Sequence, residues 1–193
     1  MITGMYVTLL PVILAGSANM FFTKTQFYRD HSFPIDDGRN FTDGKRIFGK
    51  NKTWAGFWGM VFFGAIFQLL WGAVCYLVKP LEDLNELYDN FSNNPAFNLA
   101  VGAIFGFAYV LFELPNSFIK RRLDITPGKT AGGAKGMFFF IVDQIDSLIG
   151  VVLALSLLSE MSFAKYWLYI FLGAFTHIIV NLILYALKIR KNI

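Results

Sequence analysis

The sequence predicts an all-α integral membrane protein of about five transmembrane helices, its amino terminus outside and two cytoplasmic loops folded over a polar site. Three observations carry this prediction. Of 193 residues, 55% are hydrophobic and only 16% are charged, against roughly 25% charged in an ordinary soluble domain. Five stretches reach the length of about 20 apolar residues that a helix needs to cross the hydrocarbon core. The basic residues are confined almost entirely to alternate connections between them.

The predicted spans run over 2–22, 54–78, 97–114, 136–158 and 166–187, and the chain reads as one membrane domain. The first mimics a secretory signal near Gly16 and Ala18. It has no basic leading region and its apolar run is too long, so it is expected to stay as a span. With Met1 outside, segments 23–53, 115–135 and 188–193 face the cytoplasm and carry 7, 5 and 3 Lys plus Arg, which is 15 of the 17 basic residues. Only Lys79 and Lys165 are left outside. Excess Lys and Arg in cytoplasmic loops set orientation, so the net charge of +4 is a topological signal and no nucleic-acid partner is expected. Trp54, Tyr166 and Trp167 fall at span boundaries as interfacial anchors. The outer loop with Glu82, Asp83, Glu86 and Asp89 reads as a solvated acidic loop. Cys75 is the sole cysteine, which excludes an intrachain disulfide.

Two carboxylates stand where a membrane span should be apolar. Asp143 and Asp146 lie in the fourth span, each costing about 2.5–3.5 kcal/mol near a helix centre, and their spacing of three puts them on one face. Like charges so placed either share a proton or hold a cation, and Mg²⁺ is bound by one or two carboxylates together with ligand phosphates. Bonding to an Arg or to backbone groups across the bundle is the structural alternative. From the cytoplasmic entry near Gly136, Asp143 lies roughly 10 Å deep and Asp146 roughly 15 Å at ~1.5 Å per residue. In the antiparallel fifth span Asn181 lies at roughly 9 Å and His177 at roughly 15 Å. The depths match, and His177 and Asn181 share a face, so this face is expected to meet the acidic pair.

The loops supply the opposite charge. Asp43-Gly44-Lys45-Arg46-Ile47-Phe48-Gly49-Lys50-Asn51-Lys52-Thr53 packs four cations and two glycines into one short run, and Ser117, Lys120, Arg121 and Arg122 precede Pro127-Gly128-Lys129. Glycines let backbone N–H groups approach a phosphate, and Lys and Arg neutralise it. Attraction to anionic headgroups would explain the cations, but not the Gly, Ser, Thr and Asp among them. Gly44 to Asn51 imitates a P-loop, yet Asn51 replaces the Ser or Thr that holds Mg²⁺ and no strand precedes it.

These pieces, in order along nearly the whole chain, resemble the CDP-archaeol synthase family, membrane cytidylyltransferases related to bacterial CDP-diacylglycerol synthases. They are Pro34-Ile35-Asp36, Gly38-Arg39, Asp43-Gly44-Lys45-Arg46, Gly49, Lys52-Thr53-Trp54, Gly56, Asn116-Ser117-Phe118-Ile119-Lys120-Arg121-Arg122-Leu123, Pro127-Gly128, Asp143-Gln144-Ile145-Asp146, and Thr176-His177 with Asn181, Tyr185 and Lys188. The resemblance implies transfer of CMP from CTP to a glycerophospholipid phosphate, with Mg²⁺ as cofactor. It implies Asp143 and Asp146 as metal ligands, with Lys52 and Lys120 among the catalytic residues. Thr53 and Arg121 would contact phosphates, with Asp43, Arg46 and Ser117 as further substrate contacts and His177 and Asn181 lining the cavity. The acceptor is an archaeal-type geranylgeranylglyceryl phosphate or phosphatidic acid. A homodimer follows only by analogy with related membrane enzymes. A CTP-dependent lipid kinase and a cation transporter using the Asp pair are the competing functions; five spans without an inverted repeat speak against transport.

Overall fold

A computed structural model describes residues 1–127 and 132–186. Its regular structure is helical: α1 (Ile2–Phe22), α2 (Gln26–His31), α3 (Trp54–Leu77), α4 (Lys79–Leu84), α5 (Pro95–Arg122), α6 (Gly133–Ser156) and α7 (Phe163–Ala186), with a 3-10 turn at Glu86–Tyr88. Helices α1, α3, α5, α6 and α7 are long and apolar enough to cross a membrane, as the sequence predicts. Gly128, Lys129, Leu187 and Lys188 lie outside the described residues.

Small residues let the central pair close up. A Cβ on Gly64 of α3 would sit 2.4 Å from the Gly102 carbonyl oxygen, and one on Gly106 of α5 would sit 2.4 Å from that of Met60. Backbone thus meets backbone, the way helices gain van der Waals contact where lipid offers no hydrophobic drive. Met5, Leu9 and Val12 of α1, Met60 of α3, Phe105 of α5, Val151 and Leu155 of α6 and Tyr169 of α7 complete the core. Outward-facing Phe62, Phe138, Phe171 and Leu77 are exposed, as suits a surface solvated by lipid.

Two expectations change. The third apolar span stops at Leu114, yet α5 continues through Pro115 to Arg122. Proline removes one helical N–H bond and normally ends a helix, but the extra turns are held from outside: Gly49 N–H donates to Ser117 Oγ at 3.0 Å and Lys120 reaches Asp143 on α6. Ser117, Lys120 and Arg121 therefore sit on helix, not on loop. The acidic segment over residues 82–89 is also more than solvated charge. Glu86 accepts from Tyr169 Oη at 2.6 Å and pairs with Lys165 at 3.0 Å, which ties this segment to α7.

The first long loop is built around Asp36, whose side chain is buried. One carboxylate oxygen accepts from Arg46 at 2.5 Å and from Gly38 N–H at 3.1 Å; the other accepts from Phe48 N–H at 3.0 Å and Arg46 Nε at 3.2 Å. Burial acts to raise the pKa of Asp36, but the hydrogen bonds from Arg46, Phe48 and Gly38 outweigh it and hold it below the ordinary value. Gly38 and Gly44 turn the chain with φ of 72° and 76°, which costs glycine little. The loop then clamps onto the end of α5. Arg122 pairs with Asp43 at 2.7 Å, stacks over Phe118 at 4.2 Å and donates to the Arg46 carbonyl.

Candidate active site

The extended α5 puts Glu113, Asn116, Ser117, Lys120 and Arg121 at helical spacings of three and four, hence on one face. That face meets α6. Lys120 Nζ lies 2.5 Å from both oxygens of Asp143, and Asn116 Nδ2 donates at 2.7 Å to Asp143 Oδ1 and at 2.7 Å to Asp146 Oδ2. A third element arrives from the loop before α3, where Lys52 forms an ion pair with Glu113. Burial lowers the pKa of Lys52, but Glu113 and then Asp146 and Asp143 outweigh it, so its ammonium is held above the ordinary lysine value.

The fifth span closes the fourth side. Asn181 Nδ2 donates to Gln144 Oε1 at 3.2 Å, and Gln144 stands between the two aspartates. His177 and Asn181 line the same cavity of about 490 Å³ as Lys52, Glu113, Asn116, Ser117, Lys120, Arg121, Asp143 and Asp146. This is the volume of a small-ligand site.

Charge inside it is nearly cancelled by internal pairs: Lys52 with Glu113 and Lys120 with Asp143. Arg121 takes part in no ion pair among the described residues, and its buried Nε has no hydrogen-bond partner among them. Asn116 Oδ1 is likewise buried without a partner among the described residues. A buried donor left unsatisfied costs about 1–3 kcal/mol, so this cavity is built to receive something polar.

Three of the sequence-predicted residues stand apart. Asp43 and Arg46 are spent on Arg122 and Asp36. Thr53 is the N-cap of α3, its Oγ1 accepting from Gly56 N–H at 3.1 Å and bonded to Tyr28 Oη at 2.8 Å. None of the three lines the cavity. Conversely, sequence reasoning missed Glu113. A carboxylate in an apolar run is its signal, masked because Glu113 stands at the predicted end of the span, two residues before Pro115.

Fold and cavity together define a polytopic helical membrane protein with an enzyme-like ionic site between its helices. A solved intramembrane enzyme for archaeal membrane lipids biosynthesis shares the fold, with a TM-score of 0.59 at 19% identity and 92% of each chain covered. The model of the CarS-like CDP-archaeol synthase family matches residues 2–193. The CDP-archaeol synthase of Archaeoglobus fulgidus is 33% identical over 171 residues, covering 82% of each chain. That of Methanoculleus marisnigri is 30% identical over 82% of this chain and 87% of its own. The chain belongs to the CDP-archaeol synthase family.

Proposed function

We propose that the protein transfers CMP from CTP to a glycerophospholipid phosphate, releasing pyrophosphate and a CDP-activated lipid. The observation that carries this reading is the meeting, in one cavity, of Lys52, Lys120 and Arg121 with the acidic pair of α6. A triphosphate needs the cations, and a cavity lined by the apolar, membrane-length helices suits a lipid acceptor. By the basic-loop rule the cavity opens to the cytoplasm, where CTP is available.

An oxygen of the lipid phosphate attacks the α-phosphorus of CTP; the new P–O bond forms as the bond to the β-phosphate oxygen breaks, and pyrophosphate leaves. The attacking phosphate is already an anion near neutral pH, so no side chain need take a proton from it. Catalysis then rests on positioning and charge neutralisation. Lys52, whose ammonium is held above the ordinary lysine value, and Arg121, without an ion-pair partner among the described residues, would grip phosphates. Ser117 anchors the loop that carries Lys52 through Gly49. His177 and Asn181 would orient the ligand from α7.

The donor set fits Mg²⁺: two carboxylates share one amide donor, and the Asn116 carbonyl oxygen beside them is free of hydrogen bonds among the described residues. Hard oxygen ligands of this kind, completed by phosphate oxygens, are what Mg²⁺ takes. No cluster of three or more His, Cys, Asp or Glu forms a metal centre by itself among the described residues, so ligand phosphates would finish the sphere. Asp143 and Asp146 would hold the ion, which neutralises charge developing on the phosphates.

Purified protein incubated with labelled CTP, Mg²⁺ and either a geranylgeranyl-ether glycerol phosphate or phosphatidic acid tests both reaction and acceptor. Pyrophosphate and a CDP-lipid are expected. CDP together with a phosphorylated alcohol would instead identify a lipid kinase.

A further inference from the structure

Aromatic rings are exposed where the first long loop meets the helices. Phe21 at the end of α1, Phe27 of α2, Phe33 in the turn beyond it and Trp54 at the start of α3 all lie open, Phe33 at 67% exposure. Backbone and ring contacts hold them at one level. Trp54 N–H donates to the Phe33 carbonyl at 2.9 Å, and the Phe27 ring lies 6.2 Å from that of Phe22 in the last turn of α1. Tyr28 of α2 packs edge-on against Phe22 at 5.6 Å and shares a 2.8 Å hydrogen bond with Thr53, the N-cap of α3. Helix α2 is therefore strapped across the ends of two membrane-length helices. Its open rings continue an aromatic face of α3, where Trp54, Trp58 and Phe62 are exposed at helical spacings of four. Surplus positive charge stands beside them. Lys24 and Arg29 are exposed and form no ion pair among the described residues. The Arg29 guanidinium donates to neutral acceptors, the Gln26 side-chain oxygen and the Lys24 carbonyl, and the α2 carboxylate, Asp30, accepts from Gln26.

We propose that α2 and the Phe33 turn form a docking surface for anionic bilayer lipid, with Phe27 and Phe33 in the boundary between headgroups and acyl chains and Lys24 and Arg29 on lipid phosphates. Aromatic side chains joined to Lys and Arg are the composition of segments that lie in that boundary. The rings take its apolar side, while long basic side chains reach out to the phosphates. The occupant follows from position and charge. These rings are continuous with the outward aromatic face of a membrane-length helix, so bilayer lipid is the apolar phase already beside them. Unpaired Lys and Arg then select anionic headgroups among lipids. The same segment leads into the loop that carries Lys52, for Ile35 N–H donates to the Lys52 carbonyl at 2.9 Å, so docking would also steady the stem of that loop. The inference goes beyond the transfer reaction and does not depend on it.

The test uses the full-length protein with Cys75→Ser, reconstituted into vesicles and spin-labelled at Phe27→Cys or, separately, at Phe33→Cys. Phe62→Cys supplies a lipid-facing reference and Arg39→Cys, in the same loop, a water-facing one. Power-saturation EPR compares collisions with oxygen, which concentrates among acyl chains, and with a water-soluble nickel chelate. In vesicles containing phosphatidylglycerol, the labels at 27 and 33 are expected to fall near the Phe62 reference. In phosphatidylcholine alone, or at about 1 M salt where screening acts within ~3 Å, they should move toward the Arg39 reference. Lys24→Gln combined with Arg29→Gln should remove most of the difference between the two lipids, since each cation near an anionic surface is worth about fivefold in binding. Labels as open to nickel as that at 39 in every vesicle would overturn the proposal. Equal immersion in both lipid compositions would overturn the assignment to anionic lipid. Dipolar broadening between labels on different molecules would overturn it too, by making a second copy the occupant. Monodisperse elution shows each labelled variant to be folded, and no readout requires turnover, so failure of the transfer reaction leaves the outcome unaffected.

Discussion

Asn116 of α5 spans the acidic pair of α6, its single amide nitrogen donating at 2.7 Å to Asp143 Oδ1 and at 2.7 Å to Asp146 Oδ2. One neutral side chain therefore bridges two carboxylates, the first of which Lys120 also neutralises. Hydrogen bonds to charged groups contribute about 1.5–3 kcal/mol. Asn116→Leu, similar in volume, is expected to lower stability by about that amount, read from thermal unfolding in detergent. It should also weaken the Mg²⁺ dependence of turnover, because the oxygens are no longer held together.

Asp146 forms no ion pair among the described residues and lines the cavity. Asp146→Asn is expected to reduce CMP transfer about 10²–10³-fold, with the protein still inserted and monodisperse. Unaltered turnover would point to a purely structural role for the acidic pair.

Neighbouring arginines should separate binding from folding. Arg122 is committed to Asp43, the Arg46 carbonyl and the Phe118 ring, whereas Arg121 lines the cavity and forms no ion pair among the described residues. Arg121→Gln is expected to raise KM for CTP or lipid phosphate by about tenfold or more, the loss of one charge-assisted contact, without loss of stability. Arg122→Gln should do the reverse, costing about 3 kcal/mol as a partly buried charge loses its partner. Melting temperatures and KM values measured side by side decide it.

Thr53 caps α3 and touches no cavity space. Thr53→Ala is expected to cost about 1 kcal/mol, the usual loss of an N-cap, with KM for CTP unchanged. A large rise in that KM would restore Thr53 as a substrate contact.

Asp36 makes the first loop acid-sensitive. Its folded pKa lies below the ordinary value of 3.8, so its stabilising contribution is complete above that value and is lost as pH falls through the folded one. Hydrogen exchange across residues 34–48 should speed up below about pH 3.8 in the wild type. In Asp36→Asn it should be fast at neutral pH already.

Some of the site was legible because membranes punish misplaced polarity. Asp143, Asp146, His177 and Asn181 stood out as costs that an apolar span does not bear without return, and counting helical rise set them at matching depths. In the structure all four line one cavity, and Asn181 of α7 donates to Gln144 of α6. Loop residues were harder to sort. In the run 43–53, where seven of eleven residues are charged or polar, nothing in the spacing tells Arg46, folded onto Asp36, from Lys52, aimed at Glu113.

By itself the sequence determined the five-helix membrane architecture, the basic bias of alternate connections and the acidic pair, because hydropathy, charge segregation and helical period are local properties. Tertiary structure alone decided that α5 runs on past Pro115, that Glu113 and Asn116 join the site, and that Thr53 and Asp43 serve the scaffold. Those outcomes depend on contacts between residues far apart in the chain, such as Gly49 with Ser117 and Lys120 with Asp143.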